Sequence, residues 1–296
     1  MKLTIKNLSK TYDGDVMAIR NLSLELSPGM FGLLGPNGAG KSSLMRTLAT
    51  LQEPDQGQIQ LGDWDLLRQP QAVRRVLGYL PQSFGVYPKV SAWELLNHYA
   101  ILKGISNKKE RRQIVDHLLH LTNLHQVRKK AVSSFSGGMA RRWGIAQALL
   151  GDPKLIIVDE PTAGLDPEER ARFHNLLGDI SQNVIVLLST HMVNDVAELC
   201  SRMAVMNQGQ LLLTGNPLNL ISGIEGCIWK KFIPKNERAA YRERYDLVSS
   251  GLVLGETMIR IYSKTPPGHG FQRCDTNLED VYFSAIAGYL TEEVSQ

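Results

Sequence analysis

The sequence predicts an α/β fold in which a mainly parallel β-sheet carries helices on its faces, and three observations support this class. Short apolar segments of strand length alternate with longer helical segments along the chain. A glycine-rich loop, Gly35 to Ser42, stands between one such strand and one such helix. The N-terminal segments instead alternate apolar and polar residues, which is typical of half-buried antiparallel strands.

The N-terminal part is predicted to form antiparallel strands that lead into the glycine-rich loop. Leu3 to Ser9 and Ile19 to Leu26 have the period-two alternation, with a turn at residues 12–14 between them. Met30 to Leu34 is apolar and predicts a buried strand, and Ser42 to Gln52 has the apolar spacing of a helix. A strand, a glycine-rich loop and a helix in this order are the context of a phosphate-binding loop.

The central part predicts a helical insertion over about residues 83–150. Two amphipathic runs between Ser91 and Val132 predict helices, and a third helix follows Ser136-Gly137-Gly138. The apolar strands predicted on either side are Val76 to Leu80, Leu155 to Val158 and Val184 to Leu188.

Beyond about Ser222 the composition changes, and the sequence predicts a small accessory α+β unit over residues 222–296 without catalytic chemistry. Gly255-Glu256 is the predicted turn of a hairpin in this unit. The predicted strands are Cys227 to Ile233, Leu247 to Leu254 and Thr257 to Ser263, and the predicted helices are Asn236 to Tyr245 and Leu278 to Leu290.

The loop Gly35 to Ser42 reads GPNGAGKS and has the spacing of a P-loop. Its glycines let successive backbone N–H groups turn toward a phosphate, and Lys41 adds a positive charge. The Ser42 hydroxyl is a candidate Mg²⁺ ligand. The residues predicted to bind the nucleotide here are Gly35, Pro36, Asn37, Gly38, Ala39, Gly40, Lys41, Ser42 and Ser43.

Two carboxylates, Asp159 and Glu160, follow the apolar strand that ends at Val158, and His191 follows the next strand. Because ligands bind at the carboxyl ends of parallel strands, these side chains are expected beside the P-loop. In such a site the first carboxylate holds Mg²⁺ and the second orients and polarises the attacking water. The alternative is an acidic helix cap after a strand.

The composition excludes several classes of protein. The chain has 296 residues and 43% hydrophobic residues, enough for a sizeable core, but no apolar run long enough to span a membrane. The first residues lack the apolar core of a signal peptide. Three separated cysteines, Cys200, Cys227 and Cys274, predict neither a disulfide framework nor a metal site. A soluble cytosolic protein is the expectation.

The net charge is a mild +4, but ten Lys and Arg residues stand against two carboxylates between Lys103 and Arg142. A basic block of this kind suits lipid headgroups, an acidic partner or nucleic acid. The alternative is an ordinary solvated helical face.

Seven motifs follow one another in the order found in ATP-binding subunits of ABC transporters, and the chain resembles that family from Met1 to about Ile221. Besides the P-loop and Asp159-Glu160, the matching positions are Tyr12 (the aromatic that stacks on adenine), Gln82 (the Q-loop), Ser136-Gly137-Gly138 (the signature), Ala163-Gly164-Leu165-Asp166 (the D-loop) and His191 (the switch histidine). The resemblance implies a P-loop cassette over residues 1–221 that binds ATP and Mg²⁺.

The resemblance also implies roles for three isolated residues, each of which has a plainer alternative. Tyr12 offers a flat face to a purine, and its alternative is a surface tyrosine at a strand end. Gln82 has a neutral amide that can touch Mg²⁺ or water, and its alternative is a polar loop residue. His191 can donate a hydrogen bond to the γ-phosphate, and its alternative is a structural histidine before a helix. The expected catalytic residues are Glu160, His191, Lys41 and Gln82, and the expected metal ligands are Ser42, Gln82 and Asp159.

The signature Ser136-Gly137-Gly138 would present a hydroxyl and backbone N–H groups to an anion at the start of a helix. In the family this site contacts the ATP of the opposite subunit. The chain carries one P-loop and one signature, so the resemblance implies a second cassette, most simply a copy of itself in a twofold dimer.

Departures from the usual signature indicate a branch of the family. Phe135 replaces Leu, and Met139 replaces Gln ahead of Arg141-Arg142. This form, together with Leu278 to Tyr282, resembles cassettes that serve drug, lipid or polysaccharide exporters. The expected function is an ATPase that energises export through a separate permease, peripheral on the cytoplasmic face of the membrane. The alternatives are a soluble ABC ATPase acting on ribosomes or nucleic acid, and a P-loop protein without hydrolysis.

Overall fold

Three β-sheets organise the residues that this computed structural model describes, which are 1–82, 85, 87–162 and 164–290. The strands are β1 (Leu3–Tyr12), β2 (Val16–Leu26), β3 (Gly29–Leu34), β4 (Gln56–Leu61), β5 (Trp64–Asp65), β6 (Leu77–Leu80), β7 (Leu155–Asp159), β8 (Ile185–Thr190), β9 (Arg202–Asn207), β10 (Gln210–Gly215), β11 (Ile228–Ile233), β12 (Asp246–Val253), β13 (Glu256–Tyr262) and β14 (Gln272–Arg273). The helices are α1 (Lys41–Leu48), α2 (Pro70–Arg75), α3 (Ala92–Leu102), α4 (Lys108–Leu121), α5 (Gly137–Ala148), α6 (Pro167–Ile180), α7 (Val193–Leu199), α8 (Pro217–Gly223), α9 (Arg238–Arg244) and α10 (Leu278–Ala287). The predicted α/β class is confirmed.

The six-stranded main sheet has the order β10-β9-β3-β8-β7-β6, and within it β10 alone pairs antiparallel. Every residue of β7 and β8 is buried because both faces of the sheet are covered. In the parallel register Leu34 pairs with Thr190 and Asp159 pairs with Ser189. The loops that follow β3, β7 and β8 therefore leave the sheet side by side at one edge.

An antiparallel sheet of order β2-β1-β4-β5 packs on the main sheet together with α1. Its inward residues share one apolar cluster with Leu33, Leu44 and Leu187. The expected turn at residues 12–14 is wrong at its first position, since Tyr12 is the last residue of β1 and pairs with Val16. The pairing of β1 with β2 continues to the last residue of β1, and the alternation of apolar and polar residues did not predict this.

The helical insertion has a small core of its own, in which α3 and α4 pack on each other and on α5. Trp143 is buried in it, and its indole N–H donates to the Ala92 carbonyl at 3.1 Å. Ser91 caps α3 in a capping box with Glu94, and Asn107 caps α4. Among the described helices, none combines the length and the apolar character needed to cross a bilayer.

Backbone conformation explains where several predicted elements end early. The first helix stops at Leu48 rather than Gln52, and Thr50 has a positive φ of 58°. The C-terminal helix stops at Ala287 because Gly288 takes the left-handed cap conformation at φ 77°.

The hairpin turn of the accessory unit is Leu254-Gly255 rather than Gly255-Glu256, with φ of 51° and 89°. Elements that the sequence did not predict are β5, α2 and β14.

The C-terminal part forms an antiparallel sheet of order β12-β13-β11-β14, and α10 packs back on α7, α8 and β9. The Arg260 guanidinium binds the buried Asp280 carboxylate at 2.6 Å and holds the start of α10 against this sheet. One apolar cluster contains Val186 and Val205 of the main sheet together with Leu278 and Val281 of α10. The division at residue 221 stays a prediction, and the apolar core runs across it.

This shared core predicts that a cavity in α10 destabilises the whole chain. Leu278 is 3% exposed, and Leu278→Ala is expected to lower the free energy of unfolding by about 2–5 kcal/mol. Denaturant unfolding followed by circular dichroism measures the change. The matched control is Leu218→Ala on α8, a leucine that is 72% exposed, with an expected change of about 0.5 kcal/mol or less. Equal stability of Leu278→Ala and wild type would contradict the shared core.

Candidate functional site

A cleft of about 420 Å³ lies at the edge of the main sheet where β3, β7 and β8 end. Its walls bring together Tyr12, residues 36–43 of the P-loop, Gln82, Glu160 and His191. Gly35 and Asp159 are not in the lining, but each directly precedes a lining residue in the sequence, Pro36 and Glu160 respectively. The signature Ser136-Gly137-Gly138 is not part of the cleft lining.

The P-loop depends on two glycines that approach neighbouring backbone closely. A Cβ at Gly40 would stand 2.1 Å from the Ala18 carbonyl oxygen, and Gly40 has a φ of 103°. A Cβ at Gly35 would stand 2.3 Å from the Met206 carbonyl oxygen. Only glycine fits at these places, and the loop can then turn tightly enough for α1 to begin at Lys41 with its free N–H groups at the cleft.

Lys41 is buried at the centre of this loop, with 6% of its surface exposed. Its ammonium donates hydrogen bonds to the carbonyl oxygens of Gly35 at 2.6 Å and Pro36 at 3.2 Å. Burial lowers the pKa of the Lys41 ammonium, and the negative charges of Glu160 and Asp159 oppose that change. The loop therefore holds a buried cation in the lining of the cleft.

Asp159 ends β7 as a buried carboxylate, and its Oδ1 atom has no hydrogen-bond partner among the described residues. Burial is the largest cause that raises the pKa of this carboxyl group, and the Glu160 charge adds to it. The Ser189 hydroxyl and the charges of Lys41 and Arg141 lower the pKa and offset part of the rise. A buried oxygen without a partner is suited to a bound cation.

Glu160 and His191 meet at the mouth of the cleft. The Glu160 backbone has a φ of 48°, and its N–H donates to the Ser189 carbonyl at 2.8 Å. This left-handed conformation is uncommon for a residue other than glycine and turns the Glu160 side chain out of the strand direction. His191 Nδ1 lies 2.7 Å from Glu160 Oε2. The carboxylate and the imidazole thus form one hydrogen-bonded pair, with His191 more exposed than Glu160.

Tyr12 also lines the cleft and is 38% exposed. Its hydroxyl donates to Gln52 Oε1 at 2.7 Å and lies 3.2 Å from Ser43 Oγ, so the ring is held by its polar end. Val16, Met17 and Ala18 continue this wall. They were missed from the sequence because only the pairing of β1 with β2 brings them beside the P-loop.

Arg141 is a further residue near the site that motif matching did not select. Its guanidinium donates to the Pro81 carbonyl at 3.2 Å, next to Gln82. Burial lowers the pKa of Arg141, and the carboxylates of Asp159 and Glu160 oppose the change. The signal in the sequence is the basic pair after Met139, of which Arg141 contacts the segment before Gln82 only in the folded chain.

The signature lies at the start of α5, where the Ser136 hydroxyl caps the helix and accepts from the Met139 N–H at 3.2 Å. A Cβ at Gly137 would meet no atom within 4 Å, so this position faces open space. Of the D-loop, Ala163 lies outside the described residues, and Asp166 caps α6. Within one chain the P-loop cleft and the signature are therefore separate surfaces.

The chain matches the family model described as ABC transporter over residues 19–163. It is 31% identical over 303 residues to the uncharacterized ABC transporter ATP-binding protein YxlF of Bacillus subtilis strain 168, covering 96% of this chain and 99% of that protein. The chain belongs to the ABC transporter ATP-binding protein family. Nod factor export ATP-binding protein I of Cupriavidus metallidurans is 39% identical over 228 residues, covering 76% of this chain and 74% of that protein.

Another protein similar to this chain is considerably longer than it. The probable multidrug ABC transporter ATP-binding protein YbhF of Escherichia coli K12 is 32% identical over 308 residues, which cover 98% of this chain and 53% of that protein. The chain therefore spans about half the length of this relative.

Solved structures support the cassette fold. An ATP-binding subunit of an ABC transporter superposes with a TM-score of 0.68 at 26% identity, covering 75% of this chain and 92% of that one. A dimeric ATP-binding cassette bound to ADP and phosphate has a TM-score of 0.66 at 24% identity, covering 72% and 98%. The predicted family and fold are confirmed, and the roles of individual site residues stay predictions.

The raised pKa of Asp159 predicts a pH-dependent effect of Asp159→Asn on the nucleotide-free protein. A raised folded-state pKa means that the ionised carboxylate opposes folding above the unfolded pKa of about 4. The variant is expected to be more stable than wild type near neutral pH, and this difference in stability should disappear as the pH falls through the raised pKa. Thermal melting across this pH range measures it, with Asp179→Asn on the exposed side of α6 as control. A gap that widens toward acid would contradict the assigned burial effect.

Proposed function

We propose that this chain hydrolyses ATP as the energising subunit of a membrane transporter, and that it drives export through a separate permease. The observation that carries this proposal is the pair of Glu160 and His191, 2.7 Å apart at the mouth of the P-loop cleft. A carboxylate and an imidazole placed beyond a phosphate-binding loop are the groups needed to direct water at a terminal phosphate.

The cleft supports a division of roles along a bound nucleotide. The Tyr12 ring and the apolar wall of residues 16–18 suit the adenine, and the P-loop amides with Lys41 suit the phosphates. At the far end, Glu160 would orient and polarise the attacking water while His191 donates a hydrogen bond to the γ-phosphate. Phosphoryl transfer depends mainly on such positioning and charge stabilisation.

The residues beside the P-loop fit a Mg²⁺ ion. The Asp159 Oδ1 atom is buried without a partner among the described residues, and Ser42 and Gln82 line the cleft nearby. Oxygen ligands of these kinds are the ones Mg²⁺ prefers, with the rest supplied by water and phosphate. Asp159, Ser42 and Gln82 would hold the ion, which supplies neutralisation of charge on the phosphates when bound.

The separation of cleft and signature supports a dimer. Ser136 to Gly138 would complete the phosphate site of a second cassette, and the partner's signature would complete this one. A twofold arrangement satisfies both surfaces at once, most simply with a second copy of this chain.

The names of several relatives support export: multidrug, Nod factor export and linearmycin resistance ATP-binding proteins. The basic block between Lys103 and Arg142 gives little support to the nucleic-acid alternative, because several of its cations are engaged within the chain. Lys103 and Arg128 donate to backbone carbonyls, and Arg142 pairs with Glu169. Association with a permease would place the chain peripherally on the cytoplasmic face of the membrane.

Glu160→Gln tests the catalytic assignment. The amide keeps the shape of the side chain but cannot polarise water, so turnover is expected to fall about 100-fold or more while ATP binding is retained. Phosphate release and binding of a fluorescent ATP analogue measure the two quantities. Glu168→Gln, at an exposed glutamate of α6, is the matched control with wild-type turnover. Hydrolysis at the wild-type rate by Glu160→Gln would refute the role of Glu160.

A mixing experiment tests the shared site. Lys41→Ala removes the P-loop cation, and Gly137→Asp places a negative charge at the signature, at a position where an added Cβ meets no atom within 4 Å. Each variant alone is expected to be inactive. A mixture contains heterodimers with one intact site, so about a quarter of wild-type turnover should return. Absence of any recovery in mixtures shown to exchange subunits would contradict composite sites.

A further inference from the structure

Asp195, four residues after His191 on α7, is a fully buried carboxylate with three polar partners. The Thr162 hydroxyl donates to its Oδ2 atom. The Arg170 guanidinium forms an ion pair with Oδ1 at 2.7 Å, and His174 Nε2 lies 3.2 Å from the same oxygen. These contacts lie outside the P-loop cleft, and the roles proposed above do not use them.

The three partners of Asp195 come from the segment after β7, which carries Glu160, whereas Asp195 itself lies in the segment after β8, which carries His191. Thr162 lies two residues after Glu160, in the loop that leaves β7. Arg170 and His174 lie one turn apart on one face of α6, the helix that this loop leads into. The Asp195 carboxylate therefore joins the segment after β7 to the segment after β8.

A second ion pair extends this connection to the signature. Arg142, on the helix that Ser136 caps, binds Glu169 at 2.5 Å, and both side chains are largely buried. Glu169 is the neighbour of Arg170 on α6, and a Cβ at Gly138 would stand 2.5 Å from its Oε2 atom. Helix α6 thus contacts the signature helix on one side and Asp195 on the other.

Packing alone does not require this arrangement. Phe173 and Leu177 of α6 and Val196 of α7 already bury an apolar contact region in the same core. Removing a carboxylate and a guanidinium from water is costly, and apolar residues of similar volume hold helices together at least as well. A buried polar cluster instead fixes one relative position of the elements that it joins, because its hydrogen bonds and ion pairs form in only one arrangement.

We propose that Asp195 is a positioning residue for ATP hydrolysis: through Thr162 and α6 it holds Glu160, His191 and the signature helix in one fixed arrangement. The inference rests on the proposed ATPase function. It requires that loss of the Asp195–Thr162 contact lower the rate of the chemical step. Binding of ATP should be unaffected, because no hydrogen bond or ion pair among the described residues joins Tyr12 or the P-loop to this cluster.

The principal test is steady-state ATP hydrolysis by the full chain carrying Thr162→Val, which removes the hydroxyl and keeps the shape. We expect kcat to fall about 10-fold or more and KM for ATP to stay within about twofold of wild type. Thr162→Ser restores a hydroxyl and should recover most of the lost kcat. Asp179→Asn, an exposed aspartate on α6, is the matched control with wild-type kinetics.

Asp195→Asn forms the second arm, and the double variant with Thr162→Val closes a mutant cycle. If both residues act through one contact, the double variant should be no slower than the slower single variant. Because Asp195→Asn leaves Arg170 with a weaker partner, the thermal stability of this variant is measured as well. If the Asp195→Asn protein is unfolded, the kinetics of Thr162→Val decide the outcome.

Three outcomes would overturn the inference. They are a kcat within twofold of wild type for Thr162→Val, a loss that appears in KM rather than kcat, and equal losses for Thr162→Ser and Thr162→Val. All three presuppose an active wild-type chain, so each leaves the ATPase proposal standing. A wild-type chain without turnover would overturn the ATPase proposal and this inference with it.

Discussion

The parallel pairing of β3 with β8 and of β8 with β7 is the constraint on which the candidate site depends. This register places Leu34, Asp159 and Thr190 at one edge, so the P-loop, Glu160 and His191 emerge side by side. Neighbouring strands lie about 4.8 Å apart, and side chains from three such ends can reach one phosphate group. A change in strand order would separate these residues although each local motif stayed intact.

Several charged side chains are buried at this edge of the main sheet, where they have little contact with water. Burial lowers the pKa of Lys41 and raises the pKa of Asp159, and the opposite charges of the site partly offset both shifts. Functional sites commonly contain ionisable side chains that are buried without enough partners, and their pKa values are shifted as a result. The buried cluster around Asp195 lies beyond this edge, and there the charges are paired within the chain.

Most of the candidate site could be found from the sequence because its motifs are local. The glycines of the P-loop, the carboxylates after β7 and the histidine after β8 each occupy a few consecutive residues with a direct physical reason. Residues brought in by long-range pairing were missed: Val16 to Ala18 depend on the β1–β2 register, and Arg141 depends on its contact with Pro81. Asp195 also escaped notice, since a lone aspartate in a short helix has no periodic or motif signal.

By itself, the sequence determined the α/β class, the order of the motifs and the family that they resemble, because these follow from local spacing. Only the tertiary structure decided that Glu160 and His191 touch, that Asp159 keeps an oxygen without a partner among the described residues, and that the signature stands apart from the cleft. It also showed one apolar core crossing residue 221. Contacts and burial of this kind arise from residues distant along the chain, and local periodicity carries no information about them.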